Sequence, residues 1–167
     1  YQYCTHVHCP SRFIAGELER HHYPCTLHVI SNGIDPDFTY RKLEKAPDEQ
    51  DKFVILMVGR LSIEKRQDVL VDAVAKSKYK DQIKLVLAGK GPRQEHIAKR
   101  GRSRGIDLTI RFFPKPELLD RIASSDLYVH AADMEIEAMS CMEAFAGGLV
   151  PVIADSPKSA TPQFALD

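Results

Sequence analysis

Short, largely apolar segments recur along the second two-thirds of the chain. Between them, apolar positions repeat every three or four residues, so strands and helices are predicted to alternate. The first apolar segment, FVILMV, contains no polar residue, which is typical of a strand covered on both faces of a parallel sheet. The predicted strands are residues 53–58, 83–88, 108–112, 127–131 and 150–154. This order predicts an α/β fold with a doubly wound, Rossmann-like parallel sheet, which binds ligands at the carboxyl ends of its strands.

The helices between these strands are predicted from caps and spacing. Ser62 is expected to cap the helix after the first strand, and Pro92 to begin the next helix. Two further helices are predicted over residues 117–124 and 138–146. The predicted buried face of the first helix is Val69, Leu70, Ala73, Val74 and Ser77. The predicted apolar stripe of the last helix is Ala138, Met139, Met142, Phe145 and Ala146, with Glu143 at its edge.

The first 52 residues have a different pattern. A strand is predicted over residues 5–9, a short helix over residues 12–20 after Pro10-Ser11, and a second strand over residues 27–30. The sequence Ser31-Asn32-Gly33-Ile34-Asp35 is typical of a turn, and residues 36–52 are predicted to be a connecting segment.

Composition indicates a soluble globular domain. The 167 residues are 44% hydrophobic with a formal net charge of zero, so one ordinary core is expected and nucleic acid is not a favoured partner. No apolar run is long enough to span a bilayer, and the first residues do not resemble a signal peptide. The chain begins at Tyr1 and stops at residues 164–167 without a terminating element, so we expect it to be a piece of a longer protein.

Two groups of residues raise the question of a metal. Cys4, Cys9 and Cys25 lie near five histidines in the first 28 residues, but their spacing misses the usual paired zinc pattern. We therefore expect free thiols in a reducing cytoplasm, with zinc as the alternative that metal analysis would decide. Asp35-Pro36-Asp37 has the Asp-x-Asp spacing of some metal sites, but its central proline favours a turn. No metal site is predicted.

The candidate chemistry centres on residues 134–148. Glu135 and Glu143 are separated by seven residues, and Glu143 lies at the edge of the apolar stripe, so it is expected to be half-buried. A half-buried carboxylate is costly unless hydrogen-bond donors meet it, and sugar or ribose hydroxyls are good donors. The amide groups at the start of the same helix would attract a phosphate.

These residues carry a resemblance to a known family. One stretch resembles the paired-glutamate signature of the retaining glycosyltransferases of family four, which have the two-domain GT-B fold. The stretch consists of Glu135, seven further residues, Glu143 and then AFAGGLVPVIA. Gly59-Arg60-Leu61 followed by Glu64-Lys65 resembles the family's pattern after the first strand. The resemblance implies that residues 53–167 are a nucleotide-sugar-binding C-terminal domain, truncated at its end. Residues 1–35 would then be the tail of an N-terminal domain and the hinge, followed by the connecting segment 36–52.

The resemblance also implies roles for individual residues. Arg60 and Lys65 would hold the donor diphosphate, Glu135 the donor sugar and Glu143 the ribose, and the first three are the predicted catalytic residues. The loop at Phe113 and Pro114 stands where the family contacts the nucleobase. The remaining predicted donor contacts are Gly59, Ile136, Glu137 and Ala138. No cofactor is implied beyond the UDP-sugar donor, and the partners implied are this nucleotide sugar and the missing N-terminal domain.

The chain departs from many family members after the first glutamate. They continue with Gly-Phe-Gly, whereas this chain has Ile136-Glu137-Ala138, so Glu137 could share or replace the role of Glu135. This variant, together with residues 156–167, looks most like the bacterial lipid-modifying branch that includes the cholesterol α-glucosyltransferases. We therefore expect a UDP-glucose donor, a lipid acceptor, and a cytoplasmic protein that works peripherally at the inner face of the membrane. Residues 90–104, with six Lys or Arg and one Glu, could meet an anionic membrane or form a solvated helix face.

Two other functions stay open. A dinucleotide-binding Rossmann module would need three spaced glycines, but the first strand is followed by Gly59-Arg60-Leu61-Ser62 and the second by Gly89-Lys90-Gly91. A non-catalytic module that binds a nucleotide sugar is also compatible with the sequence. His130 is expected either at the floor of the site or as a hydrogen-bonded core histidine.

Overall fold

The structure is a computed structural model that describes residues 3–165. The outer limits of the predicted domains, at residues 1 and 167, lie outside the described residues. The predicted division of the chain into domains therefore stays a prediction.

Residues 3–35 form a small parallel unit. It consists of β1 (His6–Cys9), α1 (Arg12–Arg20) and β2 (Thr26–Val29), and the two strands pair in parallel. Ser11 caps α1, because its Oγ accepts a hydrogen bond from the Ile14 amide at 3.3 Å. The strand, helix and strand predicted here are confirmed to within one residue at each end.

The rest of the chain forms one five-stranded parallel sheet in the order β5-β4-β3-β6-β7. Its strands are β3 (Phe53–Val58), β4 (Ile83–Ala88), β5 (Asp107–Arg111), β6 (Leu127–His130) and β7 (Pro151–Ile153). Its helices are α2 (Gln67–Lys76), α3 (Gln94–Arg104), α4 (Lys115–Ala123) and α5 (Met139–Ala146). The predicted doubly wound α/β fold is confirmed. The chain moves outward from β3 through β4 to β5 and then returns to the other side of β3, so the switch in strand order lies between β3 and β6.

Both faces of the sheet are covered, as the apolar sequence of β3 predicts. Val54 and Leu56 pack on one face with buried residues of α4 and α5, and Ile55 and Met57 pack on the other with residues of α2 and α3. Because side chains alternate along a strand, β3 can satisfy both cores only with a continuous apolar run.

The start predicted for α2 is wrong, and the face predicted for it is right at Leu70 and Val74 but wrong at Val69. The helix begins at Gln67, and Arg66 occupies the N-cap position in a left-handed conformation with φ of 52°. Ser62 does not cap the helix, because its hydroxyl bonds within its own loop to Glu64. The helix buries Leu70, Val71 and Val74, while Val69 is 45% exposed. Pro92 likewise precedes its helix, since α3 begins at Gln94.

The stripe predicted for α5 is also wrong. The helix turns Ala138, Cys141 and Ala144 toward the sheet, whereas Met139 and Phe145 are 39% and 42% exposed. Small side chains let the helix approach the sheet closely, and this packing decides its rotation. Glu143 is half-buried, as expected.

Residues 36–52 connect the two sheets and contain one short 3-10 turn, Pro47–Glu49. The buried Glu49 carboxylate accepts two hydrogen bonds from Arg121, at 2.9 and 2.7 Å, and lies 3.1 Å from Lys84 Nζ. This cluster fastens the segment to α4 and to the amino end of β4. Within residues 3–165, none of the helices has the length and apolar character that crossing a membrane requires.

Candidate functional site

The loop after β3 is held against the loop after β4 by close backbone contact. The Leu61 amide donates a hydrogen bond to the Lys90 carbonyl at 3.0 Å. A Cβ atom at Gly89 would lie 1.9 Å from the Gly59 carbonyl oxygen, so only glycine fits there. Gly59 itself has φ of +155° and faces the aliphatic stem of Lys65. The predicted site residue Gly59 therefore shapes the loop that carries Arg60 and Lys65.

A cavity of about 330 Å³ opens beside these loops. Arg60 and Phe113 line it, as the site prediction requires, and Pro114 lies outside its lining, at the N-cap of α4. Lys90 and Phe112 also line the cavity, although neither was predicted as a site residue. They contact each other, with Lys90 Nζ 4.6 Å from the centre of the Phe112 ring. Their positions directly after β4 and β5 were the signal for them, since ligands bind at strand ends.

Lys65 and Glu135 form an ion pair between the loops after β3 and β6. Each side chain is only 16% exposed. Two predicted catalytic residues, on loops either side of the switch in strand order, thus contact each other. A second ion pair, between Arg66 and Asp133, joins the same two loops, and the Asp133 amide donates to the Glu64 carbonyl at 2.8 Å.

His130 supports Glu135 from below. It is 1% exposed, with Nε2 3.3 Å from Glu135 Oε2 and Nδ1 3.4 Å from the Tyr128 hydroxyl. The Tyr128 hydroxyl donates to Ser140 Oγ at 3.0 Å, and burial raises the pKa of Tyr128. His130 is therefore a hydrogen-bonded core histidine, which is one of the two expectations, and it contacts the predicted site residue Glu135.

The pKa of Glu135 reflects these contacts. Burial alone would raise it, but the hydrogen bonds from His130 and Lys65 outweigh burial and hold the pKa of Glu135 below its usual value. The carboxylate is therefore ionised at neutral pH and can accept hydrogen bonds from a ligand.

The three residues after Glu135 have different environments. Ile136 is 57% exposed, and its carbonyl accepts a hydrogen bond from Ser11 Oγ at 2.7 Å. Glu137 is 4% exposed, and both of its carboxylate oxygens bond to Asn32. Ala138 caps α5 in a left-handed conformation with φ of 63°. The Glu137 carboxylate is therefore hydrogen-bonded within the protein, to Asn32, whereas the Glu135 carboxylate pairs with Lys65.

Glu143 has no hydrogen bond or ion pair with any residue from 3 to 165. Burial, with a smaller contribution from Asp35, raises the pKa of Glu143. A half-buried carboxylate without a partner is unfavourable in the protein alone. It is available to the hydroxyl groups of a ligand.

Several of the residues that raised the question of a metal contact other protein side chains. Asp35 accepts a hydrogen bond from the Asp37 amide at 3.0 Å, which is the predicted turn, and both carboxylates contact Lys115 Nζ, at 2.5 and 2.6 Å. His6 Nδ1 lies 2.9 Å from His28 Nε2. In the described part of the chain, no three His, Cys, Asp or Glu side chains are grouped as a metal site. Its four cysteines are free thiols.

Comparison with known proteins adds a family to this geometry. The family model described as "Glycosyl transferases group 1" matches residues 40–162. Among curated proteins, the chain is 26% identical over 162 residues to the alpha-monoglucosyldiacylglycerol synthase of Streptococcus pneumoniae, covering 89% of this chain and 36% of the relative. It is 29% identical over 134 residues to the phosphatidylinositol N-acetylglucosaminyltransferase GPI3 subunit of Saccharomyces cerevisiae, covering 71% of this chain and 29% of the relative. The chain thus spans about a third of the length of these relatives.

Solved structures give the same picture. The catalytic domain of cholesterol-alpha-glucosyltransferase from Helicobacter pylori is 52% identical, with a TM-score of 0.66, covering 69% of this chain and 72% of that one. A mutant TarM of S. aureus is 17% identical and has a TM-score of 0.81 over 98% of this chain and 32% of its own, which shows a shared fold.

Proposed function

This chain belongs to the group 1 glycosyl transferases, and on that premise we propose that it is the donor-binding half of a retaining hexosyltransferase. Its donor is UDP-glucose, and its product is an α-glucoside of a lipid hydroxyl. The name of the H. pylori relative, which specifies α-glucosyl transfer to cholesterol, supports the sugar, the anomer and the class of acceptor. The name of the S. pneumoniae relative also supports a lipid acceptor.

The Lys65–Glu135 ion pair is the observation that carries the proposal. It brings a cation and a carboxylate together where the loops after β3 and β6 meet, which is where doubly wound sheets bind nucleotides. In the proposal, Arg60 and Lys65 bind the donor diphosphate together with the first amides of α5. Glu135 binds the hydroxyls of the glucose.

The remaining donor contacts are proposed from the cavity and from Glu143. Phe113 lines the cavity beside Arg60, and a uracil ring could pack against it there. Glu143, which lacks a partner among the described residues, accepts hydrogen bonds from the ribose. The Glu137 carboxylate already accepts hydrogen bonds from Asn32. We therefore propose that Glu135, and not Glu137, binds the hydroxyls of the sugar.

The proposed chemistry places the charge of the leaving group beside fixed cations. As the bond between C1 of glucose and the diphosphate breaks, UDP gains negative charge, and Arg60 and Lys65 stabilise it. The acceptor oxygen bonds to C1 on the face that UDP leaves, and its proton passes to the departing diphosphate. Attack on that face preserves the α configuration, as the family resemblance implies.

The acceptor would be bound by the domain that precedes this chain in the longer protein. Without that domain, the chain should bind the donor but transfer glucose slowly, because catalysis requires the acceptor to be positioned against C1. The proposed place of action is the cytoplasmic face of the membrane, where a lipid acceptor is presented. Arg100 and Arg104 of the basic stretch are partly neutralised by Asp72, and Lys90 lines the cavity, which leaves Arg93, Lys99 and Arg102 as the candidate membrane contacts of the stretch.

Titration calorimetry of the chain tests the donor assignment. We expect UDP and UDP-glucose to bind, GDP-glucose and ADP-glucose to bind more weakly, and Glu143→Ala to weaken UDP binding. An absence of UDP binding at millimolar concentration, or unchanged binding in Glu143→Ala, would contradict the proposal. Binding of NADH in place of UDP would favour a dinucleotide module. A longer protein that binds UDP-glucose but transfers no glucose would favour the non-catalytic alternative.

A further inference from the structure

The segment from Glu135 to Glu137 is held from two sides. On one side, the Ala160 amide donates to the Glu135 carbonyl at 2.9 Å, and Glu135 forms an isolated parallel bridge with Ser159. On the other side, the same segment bonds to the unit formed by residues 3–35. Ser11 Oγ donates to the Ile136 carbonyl at 2.7 Å, and Asn32 bonds to the Glu137 side chain.

The contact between Asn32 and Glu137 is the more specific of the two attachments. The Asn32 amide lies 3.1 and 3.2 Å from the two carboxylate oxygens of Glu137, and Asn32 Nδ2 donates to one of them at 2.5 Å. Glu137 is 4% exposed whereas Asn32 is exposed, so these hydrogen bonds are shielded from bulk water on the acceptor side. Hydrogen bonds to a buried charged acceptor are among the strongest that a protein makes.

We infer that Glu137 is a positioning residue, which uses its hydrogen bonds to Asn32 to hold the Glu135 loop in the conformation that contacts the donor sugar. Only two peptide bonds separate the restrained Glu137 from Glu135. The restraint also ties the donor loop to the turn that connects residues 3–35 to the large sheet. This inference rests on the proposed function, because it assumes that Glu135 binds the sugar of the donor.

The inference predicts a selective defect. Glu135 touches the glucose, whereas the uracil, ribose and diphosphate are assigned to other residues. If the loop loses its restraint, UDP should bind as before while the additional affinity contributed by glucose disappears. A general loss of folding would weaken both ligands together.

Calorimetry with UDP and UDP-glucose on four forms of the chain provides the test. The forms are the unmodified chain, Glu137→Gln, Asn32→Asp and the double variant Asn32→Asp/Glu137→Gln. Asn32→Asp sets two carboxylates against each other, whereas Glu137→Gln removes the negative charge and replaces one of the two acceptor oxygens with an NH2 group that cannot accept from the Asn32 backbone amide. The double variant restores a carboxylate that accepts from a side-chain amide, and the Gln carbonyl can accept from the backbone amide at position 32.

We expect each single variant to bind UDP as before and UDP-glucose about tenfold more weakly, so that the ratio of the UDP dissociation constant to the UDP-glucose dissociation constant falls about tenfold. The double variant should recover most of this ratio. Hydrogen exchange of residues 133–138 should accelerate in the single variants and slow again in the double variant. This second measurement does not depend on a ligand.

Glu49→Gln is the matched control, because Glu49 is also 4% exposed and also fastens a connecting segment, but at the opposite end of the sheet. It should lower the melting temperature and leave both dissociation constants unchanged. If the single variants keep the ratio, or lose both ligands equally, the inference is overturned while the proposed function stands. If the unmodified chain binds neither ligand, the proposed function fails, and the inference fails with it.

Discussion

Lys65 and Glu135, which are 70 positions apart in sequence, form an ion pair at the point where the loops after β3 and β6 meet. In the proposed complex, the same lysine also serves the donor diphosphate. A lysine has three donor hydrogens, so Lys65 can bind a carboxylate and a phosphate oxygen together. The pair therefore holds Lys65 in place before the donor arrives, and the donor need not order it.

Lys65→Ala is expected to raise the dissociation constant of UDP-glucose by about 10- to 100-fold, because the variant loses one or two charged hydrogen bonds to the donor. It also removes a hydrogen bond that lowers the pKa of Glu135, so this carboxyl group should titrate at a higher pH in the variant. Calorimetry measures the first effect and NMR titration of the carboxyl group the second. Lys99→Ala removes the same charge from the exposed face of α3 and should change neither value.

Glu49 should contribute to stability in a pH-dependent way. Hydrogen bonds from Arg121 hold the pKa of Glu49 below its usual value, even though burial opposes them. A lowered pKa in the folded state contributes stability that is present above the unfolded pKa of about 4.3 and is lost as the pH falls through the folded value. Glu49→Gln should therefore cost about 3 kcal/mol at pH 7, or about 6–12 °C in melting temperature, and much less at pH 3. Equal losses at both pH values would contradict this account.

Glu143→Gln should stabilise the chain and weaken its binding. Burial raises the pKa of Glu143, so its contribution to stability is fully present only below the unfolded pKa of about 4.3 and is lost as the pH rises through the folded value. At pH 7 the ionised group is unfavourable, and the neutral amide should raise the melting temperature by about 1–2 °C. UDP should bind about tenfold more weakly, because a charged acceptor has been lost. Glu95→Gln, at the exposed start of α3, is the matched control and should change neither.

The central strands were predictable because burial on both faces of a sheet requires consecutive apolar residues, which can be seen in the local sequence. Strand β3 is buried on both faces and is an uninterrupted apolar run, whereas β4 is apolar except at Lys84, which pairs with Glu49 at the amino end of the strand; the bounds of both strands agree with the prediction. The loop after β3 places Gly59, Arg60 and Lys65 at the carboxyl end of a strand, but their roles in donor binding come from the family resemblance and stay a prediction.

Features set by distant residues were not predictable from local spacing. The start of α2 is fixed by Arg66, which takes a left-handed conformation and pairs with Asp133, 67 positions away. The partner of Glu137 is 105 positions away, so its sequence neighbours could not show that Asn32 occupies it. The rotation of α5 depends on which side chains fit beneath it, a property of the assembled core.

Thiol labelling should distinguish the cysteines by burial. Burial, with a smaller contribution from Glu135, raises the pKa of the Cys141 thiol to about 12, whereas Cys4 is exposed. Because the thiolate is the reactive form, an aromatic disulfide reagent at pH 8 should label Cys4 rapidly and Cys141 only after unfolding. The Cys4→Ser variant should lack the rapid labelling phase that we assign to Cys4. Rapid labelling of Cys141 in the folded chain would mean that α5 separates from the sheet in solution.

Ala138 and Ala144 allow the cost of a left-handed residue to be measured. Both are buried in the same core cluster, at 2% and 0% exposure, but Ala138 has φ of 63° and Ala144 lies inside α5. Ala144→Gly should cost about 2 kcal/mol, from the lost methyl burial and the poor helix propensity of glycine. Ala138→Gly loses a similar methyl group, but it also removes a left-handed penalty of about 1–2 kcal/mol. Its unfolding free energy should therefore stay within about 0.5 kcal/mol of the parent chain.

Urea unfolding of the two glycine variants and of Ala138→Val completes this comparison. Valine is β-branched and tolerates a positive φ poorly, and it adds volume to a packed core, so Ala138→Val should cost about 3 kcal/mol or more. If Ala138→Gly were as destabilising as Ala144→Gly, the backbone at position 138 would not be left-handed in solution. A near-neutral Ala138→Gly would show that alanine holds a left-handed conformation at position 138, and that this strained residue begins α5 at the proposed diphosphate site.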